Sequence, residues 1–251
     1  MPNPLGIPLP VENALLPGLL RVFEGEGPFK AALWRQDALD AVLAGSSATD
    51  WLSDAESAAF AAIGASPERR REWLAARLAL KALVVAGGAA RRPGDAEILE
   101  DASGRPRVAV RRGTCGGRGV EFPCSISHSR PFVMCAFAEG ADVGVDVQCS
   151  DARLVRLLGE FSSPRDSMPA TGDPAADATL LWSVKEAFSK VLGTGLGCGF
   201  RDVSCRETAP GRCVVLGRGG EKCECRHMTL GRHAAAVAWR VLPAAESPAI
   251  C

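Results

Sequence analysis

The sequence predicts an α+β fold made of two halves of similar size. Two observations carry this prediction: each half contains a long helical pattern, and each contains short runs with the period of two that is typical of strands. The chain has 251 residues, which is enough for a sizeable hydrophobic core. Residues 1–60 are predicted as a partly irregular N-terminal segment, residues 61–141 as the first α+β half, and residues 142–251 as the second.

The composition is that of an ordinary globular protein. Hydrophobic residues make up 47%, and 29 basic side chains balance 29 acidic ones, so net charge indicates no polyanionic partner. The N-terminus lacks a basic run ahead of an apolar stretch, and the most apolar window, residues 79–90, is too short to cross a bilayer. We therefore expect a cytoplasmic protein with neither nucleic acid nor membrane as partner, and most of its ten cysteines buried as small hydrophobic residues.

The first half begins with a helix. Ser66 is a capping residue followed by Pro67 at the first turn, and the pattern runs to Gly87. The other face of this helix is basic, with Arg70, Arg71, Arg77 and Lys81. Strands are predicted at residues 105–110 and 131–138, the second being a nearly continuous apolar run suited to burial on both faces.

The second half begins with a strand, residues 143–148, in which apolar and polar positions alternate. The elements predicted after it are a helix over 152–161, a polar loop over 162–173, a helix over 175–192, and short strands at 213–217 and 234–242.

The alternating strand places Asp146 and Gln148 on one face, two residues apart. A carboxylate and an amide oxygen so arranged can share a divalent cation, and hard oxygen ligands suit Mg²⁺. The polar face of any half-exposed strand has the same pattern, so these residues alone leave the metal site open.

The helix over 175–192 has an apolar stripe formed by Leu181, Val184, Phe188 and Val191. Trp182, Glu186 and Lys190 lie on the opposite side at four-residue spacing. Glu186 and Lys190 form either part of a catalytic group or a common surface ion pair, and spacing alone favours the ion pair.

Three other groups have two readings each. The segment Ser125–Arg130, predicted as a polar turn, either binds phosphate oxygens or only caps the following strand. Arginines of 69–77 with Arg105 and Arg107 form either an anion pocket or a solvated surface. The group formed by Cys223, Cys225 and His227 suggests zinc, but alternating strand positions explain its spacing better.

Taken together and in order, these segments resemble the phosphopantetheinyl transferases, in particular the larger, surfactin-synthetase-activating type. Residues 144–148 (GVDVQ) are similar to that family's G-[IV]-D-[IV]-[EQ] element, and residues 182–190 (WSVKEAFSK) to its W-[ST]-x-K-E-[AS]-x-x-K element. Residues 127–129 (SHS), 104–106 (GRP) and 70–77 resemble three further elements, so the likeness covers about 65–200.

The resemblance implies a pseudo-dimer of two similar α+β halves, each a small antiparallel sheet packed with helices, with coenzyme A in the cleft between them. It implies a monomer that transfers the 4′-phosphopantetheine of coenzyme A to a serine of an apo acyl or peptidyl carrier protein, releasing adenosine 3′,5′-bisphosphate. It also implies that the loop over 162–173 and the start of the following helix meet the carrier, together with apolar side chains of this region such as Phe161 and Met168.

The resemblance further implies roles for individual residues. Asp146 and Glu186 would hold Mg²⁺, for which Mn²⁺ is a possible substitute, and Gln148 stands where many members have a third acidic ligand. Glu186 would be the base, and Lys190 would neutralise charge on the phosphates. Coenzyme A would be bound by Ser127, His128, Lys185, Lys190 and Arg105, with Arg71 or Arg77.

Two other classes of protein remain open at this point. A non-catalytic protein that binds coenzyme A or a nucleotide bisphosphate would use the same basic cleft without needing Glu186. A redox or zinc protein would depend on the cysteines.

Overall fold

The computed structural model describes residues 18–23, 27–45, 51–101, 104–111 and 119–242. It confirms the α+β fold, with two antiparallel sheets and helices packed on them. The two sheets face each other, and one long helix covers the outer side of each sheet. The molecule therefore has four layers in the order helix, sheet, sheet, helix.

The first sheet has six strands in the order β1-β2-β6-β5-β4-β3. Its strands are β1 (Leu19–Phe23), β2 (Phe29–Arg35), β3 (Ala96–Glu100), β4 (Pro106–Val110), β5 (Val120–Ser129) and β6 (Phe132–Ala138). The second sheet has five strands in the order β7-β11-β10-β9-β8. Its strands are β7 (Ala141–Cys149), β8 (Ser204–Ala209), β9 (Arg212–Leu216), β10 (Lys222–Leu230) and β11 (His233–Val241).

The helices are α1 (Gln36–Gly45), α2 (Asp54–Ala62), α3 (Pro67–Ala86), α4 (Ala152–Arg156), α5 (Leu158–Phe161) and α6 (Pro174–Leu192). Short 3₁₀ turns occur at Pro93–Asp95, Gly195–Cys198 and Phe200–Asp202. The two long helices begin alike: Ser66 caps α3 and Asp173 caps α6, each followed by proline. Gly193 ends α6 in the left-handed conformation.

Three hydrophobic clusters hold the layers together. One joins α3 to the first sheet, and a second joins α6 to the second sheet. The third lies between the sheets, where side chains of β2 and β6 pack against Val143, Val145 and Val147 of β7 and against β11. The predicted alternation of β7 is thus confirmed, and its valines face the first sheet.

The predicted long helices are confirmed, as are the strands at 105–110, 131–138, 143–148, 213–217 and 234–242, within a residue or two at their ends. The predicted helix over 152–161 is interrupted at Leu157, whose φ of −92° and ψ of 1° leave the helical region. The prediction of a polar turn at 125–130 is wrong, because residues 125–129 continue β5 and pair with β6. Within the predicted segment 1–60, the described residues contribute β1 and β2 to the first sheet.

The cysteines confirm the prediction that most are small buried residues. Among the described side chains Cys149 is half-buried, whereas Cys124, Cys135, Cys205, Cys213, Cys223 and Cys225 are buried and free. Cys223, Cys225 and His227 occupy alternating, buried positions of β10, which confirms the strand interpretation of their spacing. In the part of the chain that the structure describes, no helix combines the length and apolarity needed to cross a membrane.

Candidate active site

A close approach between β7 and α6 brings the candidate residues together. A Cβ atom added to Gly144 would lie 2.1 Å from the backbone oxygen of Ala187 and 2.9 Å from Cβ of Lys190. Only glycine therefore permits this separation between strand and helix. The contact places the last turns of α6, with Glu186 and Lys190, over the part of β7 that carries Asp146.

Asp146 is the centre of the site. Its side chain is buried, and its Oδ1 accepts hydrogen bonds from Lys190 Nζ and from Ser127 Oγ, both at 2.9 Å. Its Oδ2 is also buried, yet it has no hydrogen-bond partner among the described residues. A buried carboxylate oxygen without a partner is costly unless a further ligand satisfies it.

Lys190 links the helix to the strand. Besides Asp146, its ammonium donates to the backbone oxygen of Val145 at 2.8 Å. Its side chain is 28% exposed, so the ammonium lies at the edge of the site and not in the core. This position agrees with the prediction that Lys190 points away from the apolar stripe of its own helix. Trp182, predicted on the same side of the helix, instead packs between Phe161 and Phe200.

Glu186 is the second carboxylate. Burial raises its pKa, Lys190 opposes that shift, and the nearby charge of Asp146 adds to it. Glu186 and Asp146 therefore lie close enough to repel each other, with one lysine between two acidic groups. A cation bound nearby would favour the ionised form of Glu186.

These groups fit a divalent cation. An unpartnered buried Oδ2 on Asp146 and a desolvated carboxylate on Glu186 provide two hard, anionic oxygen donors, the type that Mg²⁺ prefers. No group of three or more histidine, cysteine or acidic side chains suited to a metal occurs among the described residues. Gln148 lies on the same face of β7, and its amide nitrogen donates to Cys149 O at 3.4 Å.

Ser127 and His128 do not share one side of the molecule. As consecutive residues of β5 they point to opposite faces. Ser127 turns toward β7 and contacts Asp146, whereas His128 is exposed on the face that carries Cys124 and Ile126 toward α3. The expectation of a joint phosphate contact rested on a turn, and the strand separates the two side chains.

The arginines expected near coenzyme A have different surroundings. Arg105 donates to Asp142 Oδ1 at 2.9 Å, and Arg240 donates to Oδ2 of the same carboxylate at 2.8 Å. Arg77 is buried, stacks 3.6 Å from the ring centroid of Trp73 and pairs with Glu100. Arg71 is exposed at the start of α3.

Lys185 requires a correction. It is fully buried and donates to Asp166 Oδ2 and to the backbone oxygens of Phe161, Phe200 and Val203, at 2.7 to 3.0 Å. An ammonium has three protons, so these four acceptors saturate it. Lys185 fastens the segment before α6 and the segment after it to the helix, and it is not exposed for cofactor binding.

The expected carrier-facing side chains also need correction. Phe161 is 2% exposed and belongs to the core, whereas Met168 is half-buried beside the cluster under α6, so only Phe161 is excluded from contact with a carrier. The exposed apolar side chains in this region are Val155, Leu157 and Leu158, which are 38%, 48% and 38% exposed. Val155 lies on α4, Leu158 on α5, and Leu157 at the junction between these two short helices.

Sequence reasoning missed several residues of the site. Asp142 and Arg240 are far apart in the chain, and no local pattern connects them to Arg105. Ser125 and Ser129 belong to the segment predicted as a polar turn, although the alternation S-x-S-x-S fits one face of a strand. Their hydroxyls, like that of Ser127, accept hydrogen bonds from backbone N–H groups of β7.

The comparison with known families bears on the second half of the chain. Residues 142–238 match the model of the 4′-phosphopantetheinyl transferase superfamily. The matched segment contains Asp146, Glu186 and Lys190 and supports a phosphopantetheinyl transferase function in general terms. It spans less than half of the 251 residues, and no curated protein matches the chain.

Proposed function

We propose that this protein transfers the 4′-phosphopantetheine arm of coenzyme A to a serine hydroxyl of an apo acyl or peptidyl carrier protein, with a divalent cation held by Asp146 and Glu186. One observation carries the proposal: Asp146 keeps a buried, unpartnered oxygen beside Lys190 and Glu186, inside the segment that matches the superfamily. Bound there, Mg²⁺ would offset the negative charge of the phosphates and of the two carboxylates.

Glu186 is the proposed base. Its raised pKa lies nearer to neutrality than that of an exposed glutamate, so its carboxylate is a better acceptor for a hydroxyl proton. The carrier serine loses its proton to Glu186 as its oxygen forms a bond to the β-phosphorus of coenzyme A. The bond from that phosphorus to the bridging oxygen breaks, and adenosine 3′,5′-bisphosphate leaves with the electron pair.

Lys190 is the proposed electrostatic group for the leaving side. Its bonds to Val145 O and Asp146 Oδ1 fix the ammonium, and its remaining N–H can donate to a phosphate oxygen. Asp146 thus has two functions: one oxygen orients Lys190, and the other faces the cation. Gln148 is proposed as a weaker third ligand, because a neutral amide attracts Mg²⁺ less than a carboxylate does.

For the 3′-phosphate we propose Arg105 before Arg71 and Arg77, because Arg105, although it pairs with Asp142, reaches the end of α6 beside Gly193, whereas Arg77 is buried against Trp73 on α3. An Arg105→Ala variant should raise KM for coenzyme A and leave KM for 3′-dephospho-coenzyme A unchanged. Equal KM changes for the two substrates would remove Arg105 from this role.

The carrier is proposed to dock on α4 and α5. Val155, Leu157 and Leu158 form an exposed apolar group, and Arg153 and Arg156 are exposed on the same short helices. This combination suits a partner helix with apolar and acidic side chains. Leu157→Ser should raise KM for the carrier without changing KM for coenzyme A, and a change in both would indicate damage to the fold.

The direct test follows carrier mass. The protein is incubated with coenzyme A, Mg²⁺ and a panel of apo acyl and peptidyl carriers, and a phosphopantetheine increment that disappears with EDTA is expected. Asp146→Ala and Glu186→Gln should lose at least about 10²-fold in rate. Glu72→Gln on α3 is the matched control, since α3 packs on the first sheet and Glu72 pairs with Arg130, not with Asp146 or Lys190.

A folded protein that binds coenzyme A but modifies no carrier would contradict the proposal and favour the non-catalytic binding protein. The proposal includes the larger type of enzyme, acting as a cytoplasmic monomer, since both sheets and both long helices belong to one chain. Sedimentation of the purified protein tests the monomer.

A further inference from the structure

A row of three serine hydroxyls connects the two sheets. Ser125, Ser127 and Ser129 alternate along β5, and their Oγ atoms accept from the backbone N–H groups of Val145, Val147 and Cys149 at 3.0, 3.2 and 3.0 Å. β7 is the edge strand of its sheet, so its outward N–H groups need partners. The serine side chains supply these partners from the face of another sheet.

Ser127 differs from the other two serines by one further contact. Its hydroxyl accepts from Val147 N and donates to Asp146 Oδ1 at 2.9 Å. The oxygen is therefore held from the strand while its proton is directed at the carboxylate. With Lys190 donating to the same Oδ1, the carboxyl group is fixed in one orientation and Oδ2 is left as its unpartnered oxygen.

We infer that Ser127 is a positioning residue for Asp146: it holds Oδ1 so that Oδ2 faces the cation, and it is not a ligand of the phosphates. The inference rests on the proposed function for the identity of the cation. A residue that orients a metal ligand commonly changes metal affinity by about 10- to 100-fold when it is removed.

The neighbouring serines provide matched controls. Ser125→Ala, Ser127→Ala and Ser129→Ala each remove one side-chain acceptor for an N–H of β7, but only the Ser127 substitution also removes a hydrogen bond to Asp146 Oδ1. Ser127→Thr is the conservative variant: it keeps the hydroxyl that Ser127→Ala removes, and a strand accommodates the β-branched threonine.

The readout is the rise in melting temperature with Mg²⁺ concentration, measured without substrate and again with coenzyme A. Ser127→Ala should require about tenfold more Mg²⁺ or more for half of the full rise, while the Ser125 and Ser129 variants match the wild type and Ser127→Thr recovers. In the transfer assay, Ser127→Ala should shift the Mg²⁺ dependence and leave KM for coenzyme A unchanged at saturating Mg²⁺.

Equal Mg²⁺ dependence for all three alanine variants would overturn the inference and leave a purely structural row of serines. A raised KM for coenzyme A at saturating Mg²⁺, with unchanged Mg²⁺ dependence, would overturn it in favour of a phosphate contact. A wild-type protein that gains no stability from Mg²⁺ would also overturn it. If Mg²⁺ binding depends on Ser127 but no carrier is modified, this inference stands and the proposed function fails.

Discussion

The two long helices are built alike and used differently. Helix α3 and helix α6 each begin with a capping residue and proline, and each covers one sheet. Each also carries a fully buried lysine: Lys81 donates to Glu56 Oε2 at 2.7 Å, and Lys185 donates to Asp166 Oδ2 at 2.9 Å. In both halves the lysine ties neighbouring segments to the helix.

The difference lies one residue further along α6. Glu186 follows Lys185, and Lys190 lies one turn later, so the helix presents a scaffolding lysine to the core and a charged pair to β7. In the first half both carboxylate oxygens of Glu56 already accept hydrogen bonds, since Glu56 also accepts from the backbone N–H groups of Ser53 and Ile98. In both halves the buried lysine on the long helix belongs to the scaffold, whereas the proposed metal site beside α6 uses Asp146 Oδ2, which has no hydrogen-bond partner among the described residues.

Lys81→Met gives the largest expected effect. It leaves the buried carboxylate of Glu56 without its cation, and breaking such a pair costs about 3–5 kcal/mol in the free energy of unfolding. Denaturant unfolding measures the loss, and the double variant Lys81→Met with Glu56→Gln should recover much of it. Transfer per folded molecule should be unchanged, and a specific loss of activity would place Lys81 in the chemistry.

Lys185→Met is the counterpart in the second half. A loss of stability of about the same size is expected, because Asp166 and three backbone oxygens lose their donor. Because the segment between α5 and α6 loses its anchor, KM for the carrier should also rise. An unchanged KM for the carrier would show that the contacts of Lys185 do not affect the proposed docking helices α4 and α5.

Gly144→Ala tests the close approach of strand and helix. The new Cβ would overlap the backbone at Ala187, and overpacking of this kind costs about 1–3 kcal/mol. Separation of α6 from β7 should also lower transfer and the stabilisation by Mg²⁺. Gly64→Ala, with open space around the added carbon, is the control and should leave both the melting temperature and the activity unchanged.

Glu186→Gln should increase the stability of the metal-free protein by a small amount at neutral pH while removing transfer. Because burial raises the pKa of Glu186, the folded state holds its proton more tightly than the unfolded state. Its contribution to stability is present at acidic pH and is lost as the pH rises through the raised pKa. The difference in melting temperature between variant and wild type should therefore grow with pH and disappear or reverse with Mg²⁺.

The same shift predicts the pH dependence of transfer. Glu186 must be ionised to accept a proton. On the acid side, kcat/KM for coenzyme A should therefore begin to fall at a higher pH than it would if Glu186 had the ordinary pKa of a glutamate. Raising the Mg²⁺ concentration should move this limb to lower pH, since a nearby cation favours the ionised form. A limb that Mg²⁺ does not move would contradict the pairing of Glu186 with the metal.

Gln148→Glu gives the smallest expected effect. A third carboxylate on the same face of β7 should lower the Mg²⁺ concentration for half-maximal stabilisation by a few-fold, at the cost of added repulsion with Asp146 in the metal-free protein. Calorimetric titration with Mg²⁺ measures the change. Unchanged affinity would show that position 148 does not contribute to the metal site.

Sequence alone predicted the two long helices, five of the eleven strands among the described residues, and the candidate residues Asp146, Glu186 and Lys190, because these depend on local periodicity and short motifs. It could not reveal that Lys185 is saturated in the core, since Lys185 and Glu186 are adjacent in the chain and only packing against Phe161 and Val203 separates their roles. Nor could it pair Arg105 with Asp142, or place the serines of β5 on the edge of β7. Those contacts depend on how the two sheets meet.

The apolar cluster between the sheets joins the parts of the chain that lie before and after the turn at Glu139–Gly140. It draws on β2 and β6 from one side and on β7 and β11 from the other. A chain cut in the turn at Glu139–Gly140 would give two fragments, each with one exposed hydrophobic sheet face and only part of the proposed active site. Such fragments should aggregate when kept apart and should complement each other when mixed. If each fragment is fused to one of two other proteins, recovery of transfer activity should report that those two proteins bind each other.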